Sequence, residues 1–291
     1  MARITPLSDI VERQYNMDMY GAWGICAGCG GGILVQALAR ALDRIEKPHD
    51  NVALLHGIHC SGSQVEALDY AVMGGLHGRA VAYATGLKLA RPELTVITVQ
   101  GDGDAVGIGG NHFVHAARRN IDITVLVNNN FTYGRTGGQY GPTTPKGAFA
   151  TSARYGTVDR PIDICKLAEA SGATFVARGS TYHAVELGNI VYQAICHRGF
   201  SVVDVIMQCP TAFGRYNKGL TGSSAPEMLK WIRNNTVRLS KAKDMDTQEL
   251  EGKYVIGVFV DKDDPVYGDE YEKIIRLARM TGDDNGSADT D

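Results

Sequence analysis

The side chains best suited to chemistry lie in Gly101-Asp102-Gly103-Asp104 and in the run Asn128-Asn129-Asn130, whose last member falls 28 residues after Asp102. Asp102 and Asn130 are hard oxygen donors, the kind Mg²⁺ takes while completing its octahedron with substrate phosphate. A backbone carbonyl in the loop after Asn130 offers a third oxygen. A dinucleotide loop does not fit, because Val106 stands where G-x-G-x-x-G needs its third glycine. Two aspartates would also repel a bare diphosphate unless a cation lay between them. The remaining alternative is a structural glycine turn with solvated aspartates.

Both motifs must be delivered by strands. Residues 94–100 and 123–128 are apolar, β-branched runs, and 52–58, 173–178 and 201–207 read the same way. Between them run helical patterns: Ile33, Leu34, Ala37, Leu38, Ala41, Leu42 and Ile45 on one face, then 76–89, 109–117, 162–170 and 184–195. Strands alternating with helices predict an α/β fold with a mainly parallel central sheet flanked by helices. After Pro210 the pattern changes. Residues 1–215 therefore read as the site-bearing domain and 216–291 as a C-terminal extension, packed on the core or on another subunit. Within it, 226–233 and 271–279 read as helices, 254–260 as a strand, and the small, acidic stretch 282–291 as a disordered tail.

A chain of 291 residues with 44% hydrophobic residues buries a substantial core, and its net charge of −3 points to no nucleic-acid or acidic membrane partner. No basic segment followed by an apolar core opens the sequence, so the expected compartment is the cytoplasm. Met19 to Ala39 is uncharged, but its six glycines make it a poor bilayer span.

Six cysteines without an export signal argue against structural disulfides. Cys26 and Cys29 form a C-x-x-C among glycines before the first long helical pattern; Cys60 and Cys209 each follow a strand. Residues after the strands of a parallel sheet collect along its carboxyl edge, so Cys60 and Cys209 share that edge with Asp102 and Asn130. Four thiolates beside glycine amides suit an iron–sulfur cluster. A dithiol redox pair near Trp23 and a four-cysteine structural zinc are the competing readings. Cys165 and Cys196, at apolar positions of helical patterns, read as core residues.

The Gly-Asp-Gly…Asn arrangement is similar to the thiamine diphosphate fingerprint. With Cys26-Ala-Gly-Cys-Gly30, Gly57-Ile-His-Cys-Ser-Gly62, His77-Gly-Arg-Ala80, Gly109 to Asn120, Tyr133 to Pro145 and Cys209-Pro210, the sequence over residues 15–215 resembles the β subunit of 2-oxoacid:ferredoxin oxidoreductases. That resemblance implies that Cys26, Cys29, Cys60 and Cys209 ligate a 4Fe–4S cluster. It further implies that Asp102, Asn130 and the Thr132 carbonyl hold Mg²⁺. Gly101, Gly103, Asp104 and the loop Thr136-Gly137-Gly138-Gln139 would surround the diphosphate, with His77 lining the cofactor pocket and Arg79 its substrate side. Such a protein oxidatively decarboxylates a 2-oxoacid, passes the acyl group to coenzyme A and sends electrons through the cluster to ferredoxin; a low-potential acceptor also allows the reverse carboxylation. The glutamate that activates thiamine comes from the α subunit in this family, so an αβ or (αβ)₂ assembly is expected and the chain alone is inactive. A separate ferredoxin is needed because the chain has no C-x₂-C-x₂-C-x₃-C run.

The Tyr133-to-Pro145 loop resembles members acting on 2-oxoglutarate. Many relatives have Lys where Ser63 stands, and Leu or Met where Arg135 stands. Arg135 then either meets the distal carboxylate of a dicarboxylic 2-oxoacid or faces the partner subunit or solvent. A non-oxidative thiamine decarboxylase or carboligase would share the Asp–Asn site without needing four placed cysteines. A non-catalytic zinc- or cluster-binding module would leave that site unexplained.

Overall fold

The computed structural model describes residues 6–16, 25–58, 60 and 62–285. Trp23, the Ser63 side chain and residues 286–291 of the acidic stretch lie outside the described residues. In chain order the elements are α1 (Leu7–Gln14), α2 (Gly31–Ile45), β1 (Val52–His56), α3 (Gly62–Val65), β2 (Ala71–Gly74), α4 (Ala80–Ala90), β3 (Thr95–Gly101), α5 (Gly110–Arg118) and β4 (Thr124–Asn129). A two-stranded hairpin follows, β5 (Thr132–Tyr133) with β6 (Gln139–Tyr140). Then come α6 (Ile164–Ala170), β7 (Phe175–Ser180), α7 (Ala184–Cys196) and β8 (Ser201–Ile206). The last segment holds α8 (Lys218–Thr221), α9 (Ala225–Asn235), β9 (Thr236–Arg238), α10 (Leu239–Ala242), β10 (Tyr254–Asp261) and α11 (Tyr267–Asn285).

Eight strands form one sheet in the order β2-β1-β3-β4-β8-β7-β10-β9. Every neighbouring pair is parallel except β7 with β10. Because side chains alternate across a strand, β1 sends Leu54 into the core shared with Leu34, Leu38 and Leu42 of α2, and Leu55 into the core shared with Val81 of α4 and Phe113 of α5. The central strands are covered on both faces, which explains why they are near-continuous apolar runs. The expected α/β fold with a mainly parallel sheet is the one observed.

Several details differ from the sequence reading. The edge strand β2, Ala71-Val72-Met73-Gly74, is apolar but only four residues long and mostly exposed, so neither length nor alternation marked it. The helix read from residue 76 begins at Ala80, because Gly78, at φ +72°, turns the chain first. Residues 216–291 return β10 to the central sheet, antiparallel to β7. Helix α11 outruns the predicted 271–279 at both ends and takes in 282–285. Cys165 is buried as expected, but Cys196 is exposed at the end of α7, where the helix turns its last residues outward.

One buried ion pair ties the strands that lead to the carboxyl edge. Arg178 of β7 donates from Nε to Asp204 Oδ2 of β8 at 2.7 Å, and Asn129 Nδ2 of β4 donates to Asp204 Oδ1 at 3.0 Å. Arg178 is 6% and Asp204 0% exposed. Removing one partner strands the other charge, so Arg178→Met is expected to cost about 3–5 kcal/mol of stability. Chemical denaturation checks this; a loss below about 1 kcal/mol would show that the pair is not tying β4, β7 and β8 together.

Candidate active site

Strand β3 ends at Gly101, opposite Asn128 of β4, so Asp102 and Asn130 emerge side by side at the carboxyl edge. Both line one cleft with Ile58, Cys60, His77 and Tyr133. Asp102 opens a short π-helical turn, Gly103–Ile108, a geometry that re-aims side chains at functional sites. It is 3% exposed. Its Oδ1 accepts from the Gly103 amide at 2.9 Å, and its Oδ2 accepts from the Thr143 hydroxyl. Burial pushes the Asp102 carboxyl up to about 6; Thr143 and Gly103 oppose the shift, and the nearby Asp204 adds to it.

Asp104 has a different job. Its carboxylate, 1% exposed, accepts from His77 Nδ1, from the Gly78 amide at 2.6 Å and from Gln100 Nε2 at 2.9 Å. The end of β1 leaves room for it only because residue 57 is glycine: a Cβ there would stand 2.1 Å from Asp104 Oδ2. Three donors already hold this carboxylate, although it also borders the cleft, whereas Asp102 accepts from one amide and one hydroxyl.

Asn130 and Thr132 are brought together by the residue between them. Phe131 adopts φ +64°, a left-handed backbone that is uncommon for an aromatic side chain. Its ring packs against Phe213, Trp231 and Tyr254 at centroid distances of 5.3, 6.2 and 5.6 Å. The C-terminal segment thus clamps the turn from outside. Asn130 Oδ1 accepts from the Thr132 amide at 3.2 Å, which points the amide oxygen along the loop.

Next to this cleft, Cys26, Cys29, Cys60 and Cys209 line a single cavity of about 180 Å³ together with Ile25, Gly134 and Ala212. All four thiols are free. A Cβ on Gly134 would lie 3.4 Å from Cys60 Sγ and 3.8 Å from Cys209 Sγ, so the space between those sulfurs is kept open by a glycine. The Gly31 amide donates to Cys29 Sγ at 3.4 Å, and the amides of Phe213 and Ala212 donate to Cys209. Burial raises the Cys29, Cys60 and Cys209 thiols, Cys60 to about 11, with the neighbouring thiols adding to the rise and Arg135 lowering it for Cys60. Within the C-x-x-C, burial moves Cys29 away from the depressed value that favours an attacking thiol. Among the described residues no three His, Cys, Asp or Glu side chains stand close enough to hold one metal ion. The thiols surround a space larger than a zinc ion would occupy.

Not every residue singled out in the sequence reaches the cleft. Thr136 and Arg135 line it, whereas Gly137, Gly138 and Gln139 close the β5–β6 hairpin, where Gln139 Nε2 donates to the Thr136 carbonyl at 3.1 Å. Arg79 caps α4, its Nη1 donating to the Gly78 carbonyl at 3.3 Å. Conversely, the sequence reading passed over Thr143, Gln100, Tyr133 and Phe131. Of these, Thr143 and Tyr133 carried a signal, since both belong to the Tyr133-to-Pro145 motif.

A parallel sheet that presents an aspartate and an asparagine at neighbouring strand ends belongs to a known class: residues 51–205 match the family model for the thiamine pyrophosphate enzyme, C-terminal TPP binding domain. The chain is 44% identical to 2-oxoglutarate synthase subunit KorB of Methanocaldococcus jannaschii over 251 residues, covering 86% of this chain and 92% of that protein. It is 38% identical over 218 residues to 2-oxoacid:ferredoxin oxidoreductase 2, subunit beta, of Aeropyrum pernix, covering 75% and 69%. A solved 2-oxoglutarate:ferredoxin oxidoreductase from Magnetococcus marinus, with 2-oxoglutarate, coenzyme A and succinyl-CoA bound, superposes with a TM-score of 0.81 at 29% identity, covering 96% of this chain and 92% of that one. The chain belongs to the family of 2-oxoacid:ferredoxin oxidoreductase β subunits. It is therefore one component of an enzyme complex.

A carboxyl raised by the fold stabilises the protein only while it stays protonated. The Asp102 contribution is present below about pH 4 and is lost as pH rises towards 6. In chelator-treated protein, Asp102→Asn is expected to raise stability at pH 7.5 by roughly 2–3 kcal/mol and to change little at pH 4. Thermal melts at both pH values check this, and a lower Tm for the variant at pH 7.5 would contradict it.

Proposed function

We propose that this chain is the thiamine diphosphate-, Mg²⁺- and 4Fe–4S-binding half of an enzyme that oxidatively decarboxylates 2-oxoglutarate to succinyl-CoA, with ferredoxin as electron acceptor. The observation that carries the reading is adjacency. The Asp102–Asn130 cleft and the four-thiol cavity share Cys60, Asn130, Gly134 and Arg135 in their walls. Bound there, thiamine diphosphate would supply the carbanion that adds to the 2-oxo carbon and the cationic ring that draws off electrons as CO₂ leaves, and a cluster next to it a one-electron acceptor.

The chain's own residues do the positioning. Asp102 and Asn130, with the Thr132 carbonyl, would hold Mg²⁺ against the diphosphate, and Gly101 and Gly103 border the same cleft. Cys26, Cys29, Cys60 and Cys209 would hold the cluster; glycine and loop amides already donate to two of those sulfurs. A non-oxidative thiamine enzyme would have no use for four thiols gathered beside the cleft. 2-Oxoglutarate is the substrate named for the archaeal KorB relatives and for the Magnetococcus marinus enzyme. Arg135, exposed between the cleft and the thiol cavity, is the cation we assign to its distal carboxylate.

The catalytic glutamate is assigned to an α subunit, with αβ or (αβ)₂ as the working assembly. Residues 1–215 are assigned the cofactor-binding part and 216–291 the extension that clamps Phe131. Among the described residues no helix is long and apolar enough to cross a membrane, and we place the complex in the cytoplasm.

The test uses the anaerobically purified αβ complex. About four iron and four sulfide per β chain are expected, with a reduced-cluster EPR signal and CoA-dependent turnover of 2-oxoglutarate. In the same preparations, Arg135→Leu should raise the KM for 2-oxoglutarate by about tenfold, the worth of one partly exposed ion pair, and leave that for pyruvate unchanged. Bound thiamine diphosphate without iron would instead point to a non-oxidative enzyme.

A further inference from the structure

The carboxylate Asp104 is one of the most elaborately held groups in the protein, and neither metal nor cluster binding explains it. It is buried under Gly57, and it accepts from Gln100, the Gly78 amide and His77. What it controls is His77. With Nδ1 donated to Asp104, the ring has Nε2 left for the cleft that it lines. The Tyr133 ring stands edge-on to it at 6.1 Å between centroids, restricting rotation from the other side. His77 is about one-third exposed on the cleft side, while Asp104 is sealed.

Two of the other groups lining the cleft have different work: Asp102 faces the proposed cation position, and Arg135 does not release a proton. A histidine oriented by a buried carboxylate is the arrangement suited to exchanging protons during turnover.

We infer that His77, held by Asp104 as its positioning residue, exchanges a proton with the 2-oxo oxygen of the substrate. When the 2-oxo carbon gains its new bond, the carbonyl π pair moves to oxygen and takes the proton from Nε2 of the cationic ring, leaving neutral imidazole. When the carbonyl re-forms as two electrons leave to the ferredoxin-linked acceptor, the O–H bond breaks and its proton returns to Nε2. The inference rests on the 2-oxoacid reading above.

The test uses His77→Ala in the αβ complex, since a partly exposed side chain can be truncated without collapsing the fold. Four quantities are measured: iron content, thiamine diphosphate affinity by calorimetry, steady-state kcat and KM, and kcat with added imidazole. Expected are unchanged iron and affinity, an unchanged KM and a kcat lower by about 10²–10³-fold, part of which free imidazole restores. Asp104→Asn should lower kcat without imidazole restoring it, because its ring is present but unheld. A kcat within about threefold of wild type would overturn the inference, as would a fall in cofactor affinity that accounts for the lost rate or an absence of imidazole rescue. A wild-type complex that turns over no 2-oxoacid would instead overturn the 2-oxoacid reading itself, and the inference with it.

Discussion

Two carboxylates buried two residues apart at the end of one strand set the terms for the rest of this protein. Asp102 and Asp104 are 3% and 1% exposed, and burial penalises a charged carboxylate unless donors or a counter-charge compensate it. The fold treats them differently. Asp104 is given three donors and a glycine-made space; Asp102 is given one amide and one hydroxyl and is left with its carboxyl raised to about 6. One carboxylate is finished by the protein. The other is left at the cleft, where the proposed cation would complete it. That asymmetry explains Gly57, Gly78, Gln100 and Thr143 together, which otherwise look like unrelated residues from four separate segments.

The same edge of the sheet collects the thiols. Cys60 stands beyond β1 and Cys209 beyond β8, while Cys26 and Cys29 precede α2, whose first turn is tied to the end of β8 by the Gly30 amide bonded to the Gln208 carbonyl at 3.0 Å. The carboxyl edge of the sheet thus brings the oxygen donors and the thiols to neighbouring cavities. The C-terminal segment contributes from outside. Trp231 and Tyr254 press on Phe131 and hold the strained turn that joins Asn130 to Thr132, while β10 extends the sheet through β7. Its role is to brace a loop whose backbone would otherwise relax.

Much of this was legible from residue types alone. The β-branched runs ending at Gly101 and Asn129 marked their strands, and the edge rule put Asp102, Asn130, Cys60 and Cys209 on one side of the sheet. The failures share a cause, which is dependence on a distant partner. Asp104 lines the cleft, but its bond to His77, 27 residues earlier, leaves no mark in the sequence. Phe131 reads as an ordinary strand-end aromatic, because its left-handed backbone depends on rings about 80 to 120 residues further on. Strand β2 is exposed and has no periodicity to find. The family resemblance implied that Thr136 to Gln139 surround the diphosphate; here Gln139 bonds back to Thr136 within the hairpin.

Under the proposed function, the Asp102–Asn130 cleft and the four-thiol cavity work as one electron-transfer unit. The measurement that tests it most directly is a single-turnover experiment on the anaerobic αβ complex without ferredoxin, following cluster absorbance and released CO₂ after mixing with 2-oxoglutarate and coenzyme A. The account predicts that the cluster bleaches in step with CO₂ release. CO₂ released while the cluster stays oxidised would contradict it.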